Sequence, residues 1–83
     1  MIDDKLFTKK LMAFLKDSRE IQSISVKEMA DCIGITENHL KALEKGEVNV
    51  NLVIFIAYCD KLNMDYGKVI ETGRKLASED ENE

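Results

Sequence analysis

The sequence contains no proline and no tryptophan, and glycine occurs only 4 times among 83 residues. Turn-rich sheet folds use glycine and proline in their tight turns, and collagen-like or proline-rich chains need far more of both. Hydrophobic residues make up 45% of the chain and charged residues 34%, which is the balance of an ordinary globular domain. The composition therefore excludes those architectures and favours one small folded domain.

Residues that bind metals or carry out catalysis are also scarce. The two cysteines, Cys32 and Cys59, cannot build a disulfide framework, and with the single histidine, His39, they show no metal-ligand spacing. We predict two free thiols in or near the core, no metal site and no cofactor. A glycine-rich phosphate loop, a nucleophile–base pair and a flanked carboxylate pair are absent as well, which predicts that the protein is not an enzyme.

Long apolar segments are missing too. The longest, Leu52–Cys59, is much shorter than the roughly 20 residues that a helix needs to span a bilayer. The acidic start of the chain, Met1–Asp4, leads into no hydrophobic region of the kind found in signal peptides. We therefore expect a cytoplasmic protein that has no membrane partner.

The net charge is −4, and acidic residues at the end of the chain account for all of it. The segment Ser78–Glu83 contains four carboxylates and no apolar residue, a composition typical of a disordered tail. Residues 1–77 are predicted to form a single domain. This domain is neutral, so it lacks the large positive excess by which nucleic-acid-binding proteins are often recognised.

Apolar side chains recur with the 3.6-residue period of helices, and polar residues suited to capping precede these segments. The β-branched run Val50–Ile56 alone resembles a strand, but the turn residues around it favour a buried helix. The predicted helices are Asp3–Arg19, Ser25–Ile33, Glu37–Lys45, Leu52–Leu62 and Tyr66 to about Leu76. In the last of them, Tyr66, Val69 and Ile70 are predicted to face the core.

The second and third predicted helices are joined by a short turn. Ser25 and Glu28 have the spacing of a capping box, in which each side chain binds a free backbone N–H of the first turn. Gly34 ends the second helix and Thr36 caps the third, so only a few residues separate them. Residues 25–46 therefore have the pattern of a helix-turn-helix, whose second helix can enter the major groove of DNA.

A larger set of residues matches a known family in order and without gaps. These residues are Ser25–Ala30, Ile33–Thr36, Leu40–Gly46, Asn49, Asn51–Leu52, Phe55–Ile56, Leu62–Asp65 and Val69. Through them, the stretch from Ile24 to Ile70 resembles the lambda-repressor-like, Cro/CI (XRE) helix-turn-helix family. The resemblance implies an all-α, compact five-helix fold, and a DNA-binding transcription regulator as the function.

The resemblance also implies which residues contact DNA. The positions that match the cap, the base-reading face and the backbone contacts of the family are Thr36, Glu37, Asn38, His39, Lys41, Ala42, Lys45 and Asn49. Glu44 matches a carboxylate that pairs in the family with a basic residue late in the first helix, which here is Lys16 or Arg19. The partner implied by these residues is double-stranded DNA.

Several of these side chains also have a purely structural interpretation. Asn38 suits a paired contact with adenine, and Glu37 suits either a contact with N4 of cytosine or the positive end of its own helix. Lys41 and Lys45 can bracket a phosphate, or Lys41 can pair with Glu37 four residues earlier. The sequence leaves these alternatives open.

Three residues depart from the family pattern in the region that meets DNA. Val26 stands where a glutamine usually helps to fix a phosphate, Glu37 replaces a glutamine, arginine or serine, and Ala42 replaces a glutamine or arginine. Together with the neutral charge, these departures favour an alternative function. In it the same fold is a protein-interaction module, such as an antirepressor or a partner of another regulatory protein, with weak or no specific DNA binding.

The fourth predicted helix is apolar on every side, while Phe55, Ile56 and Cys59 are predicted to face the core. The residues on the second apolar side are Val53, Ile54 and Ala57. A domain of this size has little interior left for that side, so we predict a homodimer contact there unless the fifth helix covers it. The leading interpretation is a homodimeric regulator that reads a palindromic site through helix 37–45.

Overall fold

Five α-helices connected by short turns make up the computed structural model, which describes residues 3–81. They are α1 (Asp4–Ile21), α2 (Val26–Ile33), α3 (Glu37–Glu44), α4 (Leu52–Leu62) and α5 (Tyr66–Glu81). The described residues contain no strand, so the predicted all-α, five-helix fold is confirmed. The first two residues of the acidic N-terminus and the last two of the predicted tail lie outside the described residues.

Each helix begins at a side chain that accepts a hydrogen bond from a backbone N–H of the first turn. The pairs are Asp3 with Leu6, Ser25 with Glu28, Thr36 with His39, Asn51 with Ile54 and Asp65 with Lys68, at 2.8–3.0 Å. These bonds satisfy amides that have no partner within the helix. One half of the predicted capping box is wrong, because the carboxylate of Glu28 pairs with Lys61 at 3.2 Å.

The first four helices end in the same type of left-handed turn. Ser23, Gly34, Gly46 and Asn63 have positive φ angles of 59°, 88°, 75° and 58°. The amide of the residue after each of them donates to a carbonyl oxygen five residues earlier, at 3.0–3.1 Å. This is the bond that defines a Schellman motif, which closes a helix within a few residues. Because α2 ends in this way, α3 follows it directly after a short turn.

Helix α1 is the central element of the fold, because it packs against α3, α4 and α5. The largest fully buried side chains are Met12, Leu15, Met29, Leu40, Leu43, Tyr58, Cys59 and Val69. Where α1 crosses α5, a Cβ added to Gly73 would lie 2.9 Å from the side chain of Leu11 and 3.1 Å from that of Phe7. The lack of a side chain at Gly73 therefore allows the two helices to approach closely.

Helix α5 buries a narrower face than the sequence predicts. Tyr66 and Ile70, which were expected to face inward, are 41% and 40% exposed, whereas Val69 is buried as predicted. The buried residues of this helix are Val69, Gly73 and Ala77, spaced four apart along the chain. Tyr66 and Ile70 lie at the edge of this face, so each of them keeps one side in water.

Helix α5 also extends beyond its predicted end at about Leu76 and continues to Glu81. Ala77 is fully buried, and Nζ of Lys10 on α1 lies 3.7 Å from Oδ1 of Asp80. Residues 78–81 are therefore helical, which contradicts the prediction of a disordered tail for this stretch. The composition of residues 78–81 does not predict this helix, because part of its stabilisation comes from Lys10, which lies far away in the sequence.

Helix α4 exposes Val53 as predicted, but it buries Ile54, which was predicted to lie on the same exposed side. Ile54 is only 8% exposed and packs in the core beside Phe55, so its assignment to the dimer contact is wrong. The core contacts of α4 begin at Ile54, one residue earlier than the prediction placed them. Leu52 and Val53 are 69% and 77% exposed, Ala57 is half-buried, and α5 leaves the two exposed residues uncovered.

The two cysteines are free, but only one of them lies in the core. Cys59 is fully buried on α4, and this burial raises the pKa of its thiol to about 11. Cys32 is exposed on α2, which contradicts the prediction that both thiols are in or near the core. The reason is that Met29 and Ala30 supply the buried face of this short helix.

The glycines that end α2 and α3 offer a matched pair of substitutions. We expect Gly34→Ala to cost about 1 kcal/mol, because an L-residue resists the left-handed conformation while no atom lies within 4 Å of the added Cβ. Gly46→Ala should cost about 2 kcal/mol or more, because its Cβ also meets Cα of Lys9 at 3.0 Å. Urea denaturation measures both losses, and equal losses would contradict the close contact between α1 and the turn after α3.

Candidate nucleic-acid interface

Helix α3 has one side in the core and the other in contact with solvent. Leu40 and Leu43 are fully buried, and the hydroxyl of Thr36 accepts from the amide of His39 at 3.0 Å to cap the helix. With eight residues, α3 is too short to be stable on its own. Its position therefore depends on the side chains that attach it to the rest of the fold.

Most residues that the sequence assigns to DNA contact are exposed. The exposed ones are Thr36, Glu37, Asn38, His39, Lys41, Lys45 and Asn49. By their helical spacing, Glu37, Asn38, Lys41 and Lys45 share one side, which we name the exposed face of α3. Ala42 is half-buried, so it offers only a small apolar contact at the edge of this face. Asn49 lies apart from the helix, in the loop between α3 and α4.

A buried ion pair attaches α3 to α1. Nε of Arg19 donates to Oε2 of Glu44 at 2.8 Å, and Nη2 donates to Oε1 at 3.1 Å, which makes the pair bidentate. Nη1 of Arg19 donates at 2.7 Å to the carbonyl oxygen of Ile24, in the turn before α2. The hydroxyl of Tyr58 on α4 donates to Oε2 of Glu44. Three helices and one turn are thus connected through Arg19 and Glu44.

The surroundings of these side chains favour the charged guanidinium and the neutral phenol. Arg19 and Glu44 are 5% and 6% exposed, and Tyr58 is fully buried. The hydrogen bond with Glu44 raises the pKa of Arg19, which keeps the guanidinium charged. Burial, and then the hydrogen bond to Glu44, raises the pKa of Tyr58, so its hydroxyl remains a donor at neutral pH. Among the side chains of residues 3–80, no buried nitrogen or oxygen lacks a hydrogen-bond partner.

This cluster resolves one alternative and adds one residue to the site. Glu44 pairs with Arg19, whereas the family resemblance left the choice between Lys16 and Arg19 open. Tyr58 is a residue that the spacing of the family motif does not identify. The only signal for it in the sequence is general: a tyrosine in an otherwise apolar helix needs a partner for its hydroxyl when it is buried.

The lysines on the exposed face of α3 do not pair with Glu37, the carboxylate at the start of the same helix. Lys41 forms no ion pair with Glu37 in the part of the chain that the structure describes. Lys27 on α2 pairs with Asp31 at 2.8 Å, and this hydrogen bond, with a smaller effect from the charge of Glu37, raises the pKa of Lys27. The exposed face of α3 therefore carries two ammonium groups without an ion pair to a described side chain, those of Lys41 and Lys45, against the single carboxylate of Glu37.

The exposed face of α3 offers hydrogen bonds and charge. Among the side chains of residues 3–80, no three or more of His, Cys, Asp or Glu are grouped so that they could hold a metal ion. No helix in this range combines the length and the apolar character needed to cross a membrane. The amide and ammonium groups on the exposed face of α3 suit the base edges and phosphates of a nucleic acid.

These features define a helix-turn-helix protein, in which a short turn joins two short helices and the second helix presents polar and basic side chains. The family model of Cro/C1-type helix-turn-helix DNA-binding domains matches residues 15–72, more than two thirds of the chain. The chain belongs to this family. The match begins within α1 and ends within α5, so it includes Arg19, Glu44 and Tyr58.

Two solved structures of the clp gene regulator ClgR from Corynebacterium glutamicum are similar to this fold. One has a TM-score of 0.85 at 19% sequence identity, and the alignment covers 93% of this chain and 82% of that chain. The other has a TM-score of 0.77 at 21% identity, with coverage of 84% and 91%. At this level of identity the likeness concerns the fold alone. None of the curated proteins compared with the chain matches it.

Removal of Glu44 leaves a buried guanidinium without its partner. We expect Glu44→Ala to lower the free energy of unfolding by about 3–5 kcal/mol. Glu47→Ala, which removes an exposed carboxylate from the loop after α3, should change it by less than about 0.5 kcal/mol. Urea denaturation followed by circular dichroism compares the two variants, and similar effects would contradict the anchoring role of the ion pair.

Proposed function

We propose that this protein is a DNA-binding transcription regulator that reads a specific sequence by placing α3 in the major groove. The observation that carries the proposal is the exposed face of α3. Asn38 and Lys41 on this face form no side-chain hydrogen bond or ion pair within residues 3–80, while Arg19 and Glu44 hold the helix in place. Membership of the Cro/C1-type family supports the same function.

The side chains of this surface have different tasks under the proposal. Asn38, on the first turn, presents both a donor and an acceptor, and it binds N6 and N7 of an adenine. Glu37 either accepts from N4 of a cytosine or stabilises the positive end of α3. Lys41, Lys45 and Asn49 lie further along the chain and contact the sugar-phosphate backbone, which fixes the register without reading the sequence.

The proposed regulator is a homodimer that associates through the start of α4. Leu52 and Val53 are exposed there, next to the half-buried Ala57. A contact between two copies removes these aliphatic side chains from water, which is favourable. A dimer with twofold symmetry reads two half-sites about one helical turn apart, so the proposed DNA site is a palindrome.

The base-reading role of Asn38 is tested by selection of bound duplexes from a random DNA library with the full-length protein at low salt. We expect enrichment of a palindromic site. The Asn38→Ala variant should bind that site about 1–3 kcal/mol more weakly and accept any base at one position of each half-site, because the paired contact with adenine is lost.

The control for this experiment is a duplex of unrelated sequence. Asn38→Ala should bind it as the wild type does, because non-specific binding depends on phosphate contacts. An equal loss of affinity on every sequence would exclude a base-reading role for Asn38. Circular dichroism confirms that the variant is folded before any loss is interpreted.

The homodimer is tested by sedimentation of two matched variants. We expect the wild type to be a dimer and Val53→Glu to be a monomer, because the contact would bury an unpaired carboxylate. Ile21→Glu makes a similar change at an isoleucine that is 82% exposed at the end of α1, and it should leave the dimer intact. A wild type that remains monomeric at high concentration would rule out the homodimer.

The exposed start of α4 also supports a second candidate function, a protein-interaction module with weak or no specific DNA binding. An apolar groove of about 300 Å³ adjoins the exposed start of α4. Its lining residues are Phe7, Leu11, Val50, Asn51, Leu52, Phe55 and Ile70. Binding of another regulatory protein in this groove would vary little with salt, whereas binding of duplex DNA weakens steeply as salt is raised.

A further inference from the structure

A surface pocket of about 280 Å³ lies beside α3, next to the end of α1 and the start of α2. The residues that line it are Lys16, Arg19, Glu20, Val26, Lys41, Glu44 and Lys45. Three of them are lysines: Lys16 comes from α1, Lys41 comes from α3, and Lys45 caps the C-terminal end of α3. We name this the three-lysine pocket. The fold thus gathers three ammonium groups around one opening.

The three lysines keep their charge uncompensated. None of them forms an ion pair with a side chain of residues 3–80. Glu44 borders the pocket, but Arg19 and Tyr58 already bind its oxygens, so its charge is compensated inside the protein. Glu20 is the other carboxylate that lines the pocket, and it offsets only one of the three positive charges. The pocket therefore has a net positive charge.

A pocket on α5 shows the contrast. Glu71, Arg74, Lys75 and Ser78 line it, and Arg74 pairs with Glu71 at 3.5 Å. Lys75 is the one cation of this pocket without an ion pair to a described side chain, so a single positive charge remains there. In the three-lysine pocket, by contrast, two positive charges remain after the carboxylate of Glu20 is counted, and an anion that enters reduces the repulsion between the ammonium groups. The arrangement therefore favours an anionic ligand from outside the protein.

One part of the pocket wall is apolar, so an anion there can bind only to the lysines around it. Val26 is half-buried, packs against the core, and offers no side-chain donor.

Lys16 lies three residues before Arg19, about one turn earlier on the same face of α1. Because Arg19 is tied to Glu44, the turn that carries Lys16 is held close to the end of α3. An anion beside α3 is therefore within reach of both helices.

We propose that Lys16, Lys41 and Lys45 bind phosphate groups of one DNA strand, which runs past the end of α1 and the end of α3. The inference rests on the proposed DNA-binding function, and it adds Lys16, which lies outside the helix-turn-helix, to the interface. Ammonium groups bind phosphate without strict geometry, so this site is the same for every DNA sequence. It gives a chain with a net charge of −4 the local positive charge that DNA binding needs.

The experiment measures duplex binding by the full-length protein over a series of salt concentrations, with the selected site and with an unrelated duplex. Lys16→Gln removes the charge of one lysine. We expect it to reduce the slope of log K against log salt by about 0.9, the contribution of one phosphate contact. The affinity should fall by the same factor, roughly three- to tenfold at low salt, for both duplexes. Lys16→Arg should retain the slope of the wild type.

The matched control is Lys75→Gln, which removes an exposed lysine from α5 and should change neither the slope nor the affinity. An unchanged urea midpoint for Lys16→Gln shows that its effect does not come from unfolding. If the wild type has a steep slope and Lys16→Gln has the same slope, the phosphate site is overturned and the proposed function stands. A loss confined to the selected duplex also overturns it, and a wild type without salt-dependent binding overturns both proposals.

Discussion

The buried contact between Arg19 and Glu44 determines how α3 is held. An eight-residue helix has little stability of its own, and the bidentate geometry fixes its last turn against α1 while Tyr58 binds the same carboxylate from α4. A pair buried this deeply adds little net stability, because desolvation of the two charges offsets much of their attraction. Its main effect is on orientation, since a rotation of α3 would separate Glu44 from Arg19 and leave each buried charge without its ionic partner.

This orientation separates the two sides of α3 by their chemistry. The one buried carboxylate of the helix is compensated inside the protein, so it does not cancel the charge of Lys41 and Lys45 outside. Asp80, at the acidic end of α5, pairs with Lys10 on α1. A chain with a net charge of −4 can therefore present a basic surface at one place. What matters for DNA binding is the distribution of charge over the surface rather than its sum.

The starts of the helices could be predicted because caps such as Ser25 and Thr36 act on the backbone next to them, whereas the end of α5 depends on its packing against α1. The buried side of α4 could not be predicted. The segment around Ile54 is apolar on every side, so the spacing of its apolar residues does not show which side faces the core. At the candidate site, the family resemblance predicted that Glu44 pairs with a basic residue of the first helix. Its contact with Tyr58 depends on how α4 packs, and no local pattern in the sequence contains that information.

Our central claim is that the exposed face of α3, held by Arg19 and Glu44, is the surface that meets DNA. The most direct test is a nuclear magnetic resonance titration of the isotope-labelled protein with the selected duplex. We expect the largest changes in amide resonances within residues 36–46 and at Lys16, with small changes in α5. Changes that occur at Leu52 and Val53 and leave α3 unaffected would contradict the claim.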